Sequence, residues 1–424
     1  MEKFIVKGVE NGLHGRVRIS GSKNAALPIL AACILTEEAC EISNVPPLSD
    51  VCHMLELLQE FGAQVAFNAD AERISVNAAQ IENIESDYET ARKMRASFLV
   101  AGALLGRCGH ARLPLPGGCQ IGSRPVDLHL KGFQLLGAKS KQEHGFVELQ
   151  AKQLKGCAIY LDFPSVGATE NIMLAATLAK GKTVIENAAA EPEICDLADF
   201  LREMGAEIEG DGTDTVTIMG VKRLHGAAHS VIPDRIEAGT FMTAAGITGG
   251  DILLEGVREE HLKPVIAKLA ECNVKTEACP DGLRVFRKGR LHPTQLKTMP
   301  FPGFPTDMQA PFMSLMTVAK GTSVITETIF ENRFIHAGEL QRMGADIKID
   351  SRSAVIEGVD GLTGTKVKAT DLRAGAALIL SALAARGETE ISDIYHIERG
   401  YYCIDEKLRQ LGAEISREEE ADKP

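Results

Sequence analysis

The chain has 424 residues, too many for one hydrophobic core and natural for two domains. With 45% hydrophobic and 25% charged residues it is neither disordered nor membrane-embedded, and a net charge of -12 argues against general affinity for nucleic acid. The ten cysteines are scattered without a CxxC pair and read as free thiols; the opening MEKFIVKG lacks the apolar region of a secretion signal, so a reducing, cytoplasmic location is expected.

Taken in order, the chain opens on a strand pair at residues 4–19 and then repeats one unit six times. Each unit reads as a strand, an apolar helix, a short strand, an amphipathic helix and another strand, most units opening on an L-x-G strand such as LKGCAIYL. The amphipathic helix ends in Gly-Ala at Gly62-Ala63, Gly137-Ala138, Gly205-Ala206, Gly344-Ala345 and Gly412-Ala413, with a degenerate copy at Cys272-Asn273. Glycine there supplies the left-handed residue that stops a helix and starts a strand. The preceding helices, such as NAALPILAACIL and RAGAALILSALAA, are apolar nearly all round and must be buried on every side. Three such helices packed at a shared centre, with sheets around them, make one domain of an α/β fold. Two triads make two domains. The first is expected over residues 23–232. The second joins 1–22 to 233–424, because the opening strands belong with the C-terminal half.

Each buried helix opens on a polar cluster. In chain order the clusters carry Lys23 and Asn24, Arg95, Ser165, Asp234 and Arg235, Asp307, and Asp371 and Arg373. Ser165, Asp234 and Asp371 suit simple helix capping. Lys23, Arg95 and Arg373 do not, because the helix dipole opposes a cation at an N-terminus; an anion between cation and helix resolves the conflict. Two loops add Glu331 with Arg333, and Arg399 beside Gly400.

The loop LPLPGGCQIGSRPVDLH holds Cys119 among prolines and glycines, with Arg124 close by. A guanidinium beside an exposed thiol biases it toward thiolate and makes it reactive. There is no HxH or HExxH spacing, so no metal triad is expected, and there is no P-loop and no GxGxxG turn. Cations, one exposed thiol and one carboxylate at a helix start suggest a transferase acting on phosphorylated molecules. A cysteine–histidine hydrolase stays open, with His129 or His396 as its histidine.

GSKNAALP, KMRAS, LPGGCQIGSRPVDLH, FPTDMQ, ATDLRAGAAL and HIERGY occur in this order across the whole chain. Together they resemble the enolpyruvyl transferase family, in its branch acting on UDP-N-acetylglucosamine. The resemblance implies two inverse α/β barrel domains, each of three βαβαββ repeats around buried helices, with the active site in the cleft between them. It implies transfer of the enolpyruvyl group of phosphoenolpyruvate to the 3'-hydroxyl of UDP-N-acetylglucosamine, with loss of phosphate. That reaction is the first committed step of peptidoglycan synthesis and needs no cofactor. Neither nucleic acid nor membrane is an expected partner.

By the same resemblance Cys119 delivers a proton to C3 of phosphoenolpyruvate and captures the epoxide fosfomycin, and Asp307 is the base for the sugar hydroxyl. Lys23 and Asn24, with Arg124 and Arg399, hold phosphoenolpyruvate; Lys23 and Arg399 also count as catalytic. Arg95, Arg124, Pro125, Val126, Asp127, Leu128, Ser165, Val166, Gly167, Asp307 and Ile329 match contacts to the nucleotide sugar. Ser22 stands where alanine is common. Phe163-Pro164 replaces the Lys-Val pair of part of the family, so one polar contact to the uridine diphosphate has to come from elsewhere. The alternatives are a transferase like 5-enolpyruvylshikimate-3-phosphate synthase, or a protein like the RNA 3'-terminal phosphate cyclases on the same repeat.

Overall fold

The computed structural model describes residues 2–86, 95–115 and 126–419. Two compact units emerge, and the chain passes between them after Ser20 and after Ile232. The repeat is plainest where it is uninterrupted. The strand Ala158–Tyr160 leads to the buried helix Val166–Ala176 and the strand Lys182–Glu186, which pairs parallel with the first. The amphipathic helix Pro192–Glu203 follows, then the strands Glu207–Glu209 and Thr215–Met219, the latter antiparallel to Lys182–Glu186. Gln295–Lys297, Thr322–Thr326, Asp346–Asp350 and Ser353–Glu357 repeat this order in the other unit. Among the described residues the sheets stay separate, so each unit is a set of helices enclosed by sheets rather than one strand ladder closed on itself.

Both crossings cut a repeat between its first strand and its buried helix. His14–Arg18 precedes the helix Lys23–Ala32 in sequence but pairs parallel with Asp251–Glu255. Ala228–Ser230 precedes the helix Arg235–Thr248 but pairs parallel with Cys40–Ser43. The two repeats have exchanged first strands. Glu2–Lys7 pairs with Glu388–Ser392 and Ile415–Glu419 and completes the last sheet.

The Gly-Ala helix stops behave as their chemistry requires. Gly62, Gly137, Gly205, Gly344 and Gly412 all have φ between 94° and 105°. In the degenerate copy Asn273 takes φ 68°, one of the few side chains that tolerates the left-handed region.

In the unit spanning 21–232, every residue of the helix Lys23–Ala32 except Asn24 is buried, and Val166–Ala176 is buried from Ala168 onward. The helices of this core run parallel. A Cβ on Gly102, in the helix Val100–Cys108, would lie 2.1 Å from the Asn171 carbonyl oxygen; a Cβ on Gly106, one turn on, would meet Ala175. Arg107 donates to the carbonyls of Ile34 (2.8 Å) and Thr36 (2.9 Å), just past the end of the Lys23–Ala32 helix. All three C-termini therefore share one end, and the three N-termini share the other. The other unit is built alike. Gly239 and Gly246, in the helix Arg235–Thr248, pack on Met308 and Leu315, and Ser314 Oγ donates to the Ala377 carbonyl at 2.7 Å. Parallel packing is what gathers the polar clusters of each triad.

The exchanged strand Ala228–Ser230 is locked to the helix Pro192–Glu203 through His229. Its Nε2 lies 3.0 Å from Asp196 and its Nδ1 2.9 Å from Glu203, and Asp196 also accepts from the Ile232 N–H at 3.2 Å. Burial lowers the imidazole pKa, but hydrogen bonds and charge from Asp196 and Glu203 outweigh it and leave the value raised. Protonated His229 is therefore bound better by the folded chain. Its contribution is full below the unfolded value of about 6.5 and is lost as pH rises through the folded value. His229→Gln is expected to lower the melting temperature clearly at about pH 5.5 and much less at about pH 9. A deficit that grows with pH would reverse this assignment.

Candidate active site

In the 21–232 unit, Ser22 caps the Lys23–Ala32 helix by accepting from the Ala25 N–H at 3.4 Å. Lys23 is the first helical residue and is buried, with half-buried Asn24 beside it. The Lys23 Nζ donates to Asp50 Oδ2 at 3.0 Å, and the two side chains are only 9% and 4% exposed. The anion that a cation at a helix N-terminus calls for is here the carboxylate of the neighbouring helix Ser49–Glu60.

Ser165 caps the Val166–Ala176 helix through the Ala168 N–H at 3.4 Å, with Val166 and Gly167 half-buried in the first turn. Val126 is buried just ahead of the helix Asp127–Leu135, which opens on exposed Asp127 and half-buried Leu128. Arg95 begins the 3-10 turn Arg95–Leu99 that leads into Val100–Cys108. Cys119, Arg124 and Pro125 lie outside the described residues.

His129 sits between these helices. Its Nδ1 accepts from Asn171 Nδ2 at 2.9 Å, which leaves the ring proton on Nε2. Asn171 also donates to the Phe98 carbonyl (2.9 Å) and accepts from the Gly102 N–H (2.7 Å). Burial pulls the imidazole down to about 4, so it is neutral at physiological pH. His396 is likewise lowered by burial.

In the other unit Asp234 and Asp371 are helix caps. Asp234 accepts from the N–H groups of Ile236 and Glu237, and Asp371 from those of Arg373 and Ala374. Asp307 does something else. It lies in the 3-10 turn Thr306–Met308 that opens the helix Gln309–Thr317. Its Oδ1 accepts from Arg333 Nη2 at 2.9 Å; its Oδ2 accepts from Arg373 Nε and Nη2 at 3.2 and 3.0 Å. Both arginines are buried, whereas the Asp307 side chain keeps 26% of its surface exposed. Three guanidinium N–H groups thus fix the plane of the carboxylate.

Arg399, half-buried, ends the short helix Tyr395–Glu398. The next residue, Gly400, packs so closely on Leu372 that a Cβ would lie 2.3 Å from its Cδ1 and 3.6 Å from Arg373 Nη1. Arg399 is thereby held beside the Asp307 cluster. Ile329 reaches the same region through buried Glu327. That carboxylate accepts from the N–H groups of Ile329 (2.8 Å) and Phe330 (3.2 Å), and from the hydroxyls of Thr298 and Thr306, each at 2.8 Å. Glu327 thus ties the Ile329 loop to the turn carrying Asp307.

Asp50 and Glu327 escaped the sequence reading, because a single acidic residue in an amphipathic segment has no periodic signature. Arg373 was signalled as a cation at a helix start, but its partner Asp307 was not. Among the described residues, no group of three or more His, Cys, Asp or Glu side chains is placed to hold a metal ion.

The sequence matches the EPSP synthase family (3-phosphoshikimate 1-carboxyvinyltransferase) over residues 9–408. It is 59% identical, over 98% of this chain and 99% of the relative, to UDP-N-acetylglucosamine 1-carboxyvinyltransferase 1 of Caldanaerobacter subterraneus subsp. tengcongensis. It is 57% identical, with the same coverage, to UDP-N-acetylglucosamine 1-carboxyvinyltransferase 2 of Carboxydothermus hydrogenoformans. The structure superposes on the enolpyruvyl transferase NikO from Streptomyces tendae with a TM-score of 0.89 at 27% identity, covering 98% of both chains. EPSP synthase from Acinetobacter baumannii shares the fold at a TM-score of 0.75 and 18% identity, covering 99% of this chain and 100% of the other. The repeat, the polar helix starts and this likeness along nearly the whole chain agree: the chain belongs to the enolpyruvyl transferases, in the UDP-N-acetylglucosamine 1-carboxyvinyltransferase branch of the EPSP synthase family.

Proposed function

We propose that the protein transfers the enolpyruvyl group of phosphoenolpyruvate to the 3'-hydroxyl of UDP-N-acetylglucosamine and releases phosphate, the entry step of peptidoglycan synthesis. The observation that carries the reading is Asp307, a part-exposed carboxylate held between two buried arginines at a helix start. It is oriented by three N–H groups and reached by solvent, as a general base requires.

In this reading Asp307 takes the proton of the sugar hydroxyl as its oxygen bonds to C2 of phosphoenolpyruvate. Cys119 gives a proton to C3. Phosphate then leaves C2, and loss of a proton from C3 restores the double bond. Lys23, Asn24, Arg124 and Arg399 hold the phosphate and carboxylate, where fixed cations meet charge without reorganisation. Arg95, residues 124–128, Ser165 to Gly167, Asp307 and Ile329 hold the nucleotide sugar. The thiol's capture of fosfomycin belongs to the same reading.

Phosphate release from phosphoenolpyruvate should depend on added UDP-N-acetylglucosamine and should not be supported by shikimate 3-phosphate. Release with shikimate 3-phosphate alone would transfer the assignment to the sister activity.

A further inference from the structure

We infer that Tyr401 is a positioning residue for the transfer: it fastens the turn that carries Arg399 to the buried arginine that holds Asp307, so that the grip on phosphoenolpyruvate and the aim of the base are set together. The inference rests on the function proposed above. A tyrosine that merely fills a core could be a phenylalanine, whereas a buried hydroxyl needs a partner for its proton. Tyr401, only 2% exposed, follows Arg399 and Gly400 in the chain. Its hydroxyl lies 2.9 Å from Thr240 Oγ1, in the helix Arg235–Thr248. Thr240 gives its own proton to the Ile236 carbonyl at 2.8 Å, so Tyr401 is the donor and Thr240 the acceptor.

The turn is fastened to two buried helices. The N–H groups of Gly400 and Tyr401 both donate to the Ile397 carbonyl, at 3.0 and 3.1 Å, and fold the chain back at Arg399. Ile397 packs on the helix Leu372–Ala384, where a Cβ on Gly375 would lie 2.4 Å from its Cγ1. Tyr401 carries the turn across to the helix Arg235–Thr248. On the way its ring meets Arg373, whose guanidinium carbon lies 5.2 Å from the ring centroid, within the range of a cation–π contact. Arg373 is 1% exposed and donates through Nε and Nη2 to Asp307. Its third nitrogen, Nη1, faces the turn, 3.6 Å from where a Cβ on Gly400 would lie. One rigid, planar guanidinium thus has the base on one edge and the Arg399 turn on the other, so a shift of the turn tilts the plane that Asp307 is aligned to. The hydroxyl bond to Thr240 is what stops that shift.

The test measures kcat, KM for each substrate and the melting temperature on the full-length protein, with UDP-N-acetylglucosamine and phosphoenolpyruvate. Tyr401→Phe keeps the ring and removes the hydroxyl; Thr240→Val removes the acceptor and leaves Tyr401 in place. Each should lower kcat about tenfold and raise KM for phosphoenolpyruvate about threefold, with KM for the nucleotide sugar within about twofold. The double variant should be no worse than either single one, because the same hydrogen bond is lost in all three. Losses that multiply in the double variant overturn the inference, since the two residues would then act separately. Variants that melt early but keep kcat per folded molecule and both KM values overturn it too, and make Tyr401 a packing residue. Either result leaves the proposed function standing. A native protein inactive with UDP-N-acetylglucosamine overturns the proposed function and this inference together.

Discussion

Asp307→Ala is expected to turn over at least about a hundredfold more slowly than the native protein, while nucleotide-sugar affinity stays within about tenfold. Unlike Asp234 and Asp371, which cap helices, Asp307 accepts from the guanidinium groups of Arg333 and Arg373. Those fix its plane, and the part of the side chain that stays exposed is where a hydroxyl would approach. The arginines are 4% and 1% exposed, so the variant also leaves two buried cations facing each other. Removing one partner of a buried ion pair costs about 3–5 kcal/mol, and the melting temperature should fall as well. Turnover per folded molecule, measured well below that melting temperature, separates the two effects. A variant that melts early but turns over normally would make Asp307 a structural counter-ion and nothing more.

Lys23→Met should lower kcat/KM for phosphoenolpyruvate by on the order of a thousandfold, because a fixed, desolvated cation facing a phosphate is worth several kcal/mol. The same change strands the Asp50 carboxylate in a buried site, where its side chain is 4% exposed. A lower melting temperature is therefore expected from Lys23→Met alone. Asp50→Asn in the same chain removes the stranded charge and should restore most of the stability without restoring activity. If the double variant recovers both, Lys23 serves only to neutralise Asp50, and the phosphate must be held elsewhere.

The repeat was legible because it is written in periodicity. A helix apolar on all sides can only be buried, and the buried stretches Ala25–Ala32 and Ala168–Ala176 are where that composition occurs. The Gly-Ala stops were legible for a local reason, since a left-handed residue selects glycine or, at Asn273, asparagine. The misplaced cations Lys23 and Arg373 were legible as a conflict with the helix dipole. Their partners were not. Asp50 and Asp307 meet them only because the helices pack as they do.

Three things were decided by the tertiary structure. One is the choice of strand partners at the crossings: the opening strands were expected with the C-terminal half, but not that His14–Arg18 joins Asp251–Glu255 and Ala228–Ser230 joins Cys40–Ser43. Strand edges are chemically alike, so a pattern of alternating residues does not name its partner. The second is the parallel packing of the buried helices, which turns scattered polar clusters into one set at one end of each unit. The third is which polar side chains are spent on structure. Ser165, Asp234 and Asp371 cap helices, while Asp307 spans two arginines. Local sequence determined the elements and their breaks, because propensity and periodicity act over a few residues. The site's ion pairs join residues far apart in the chain, so their geometry came into being only with the packed core.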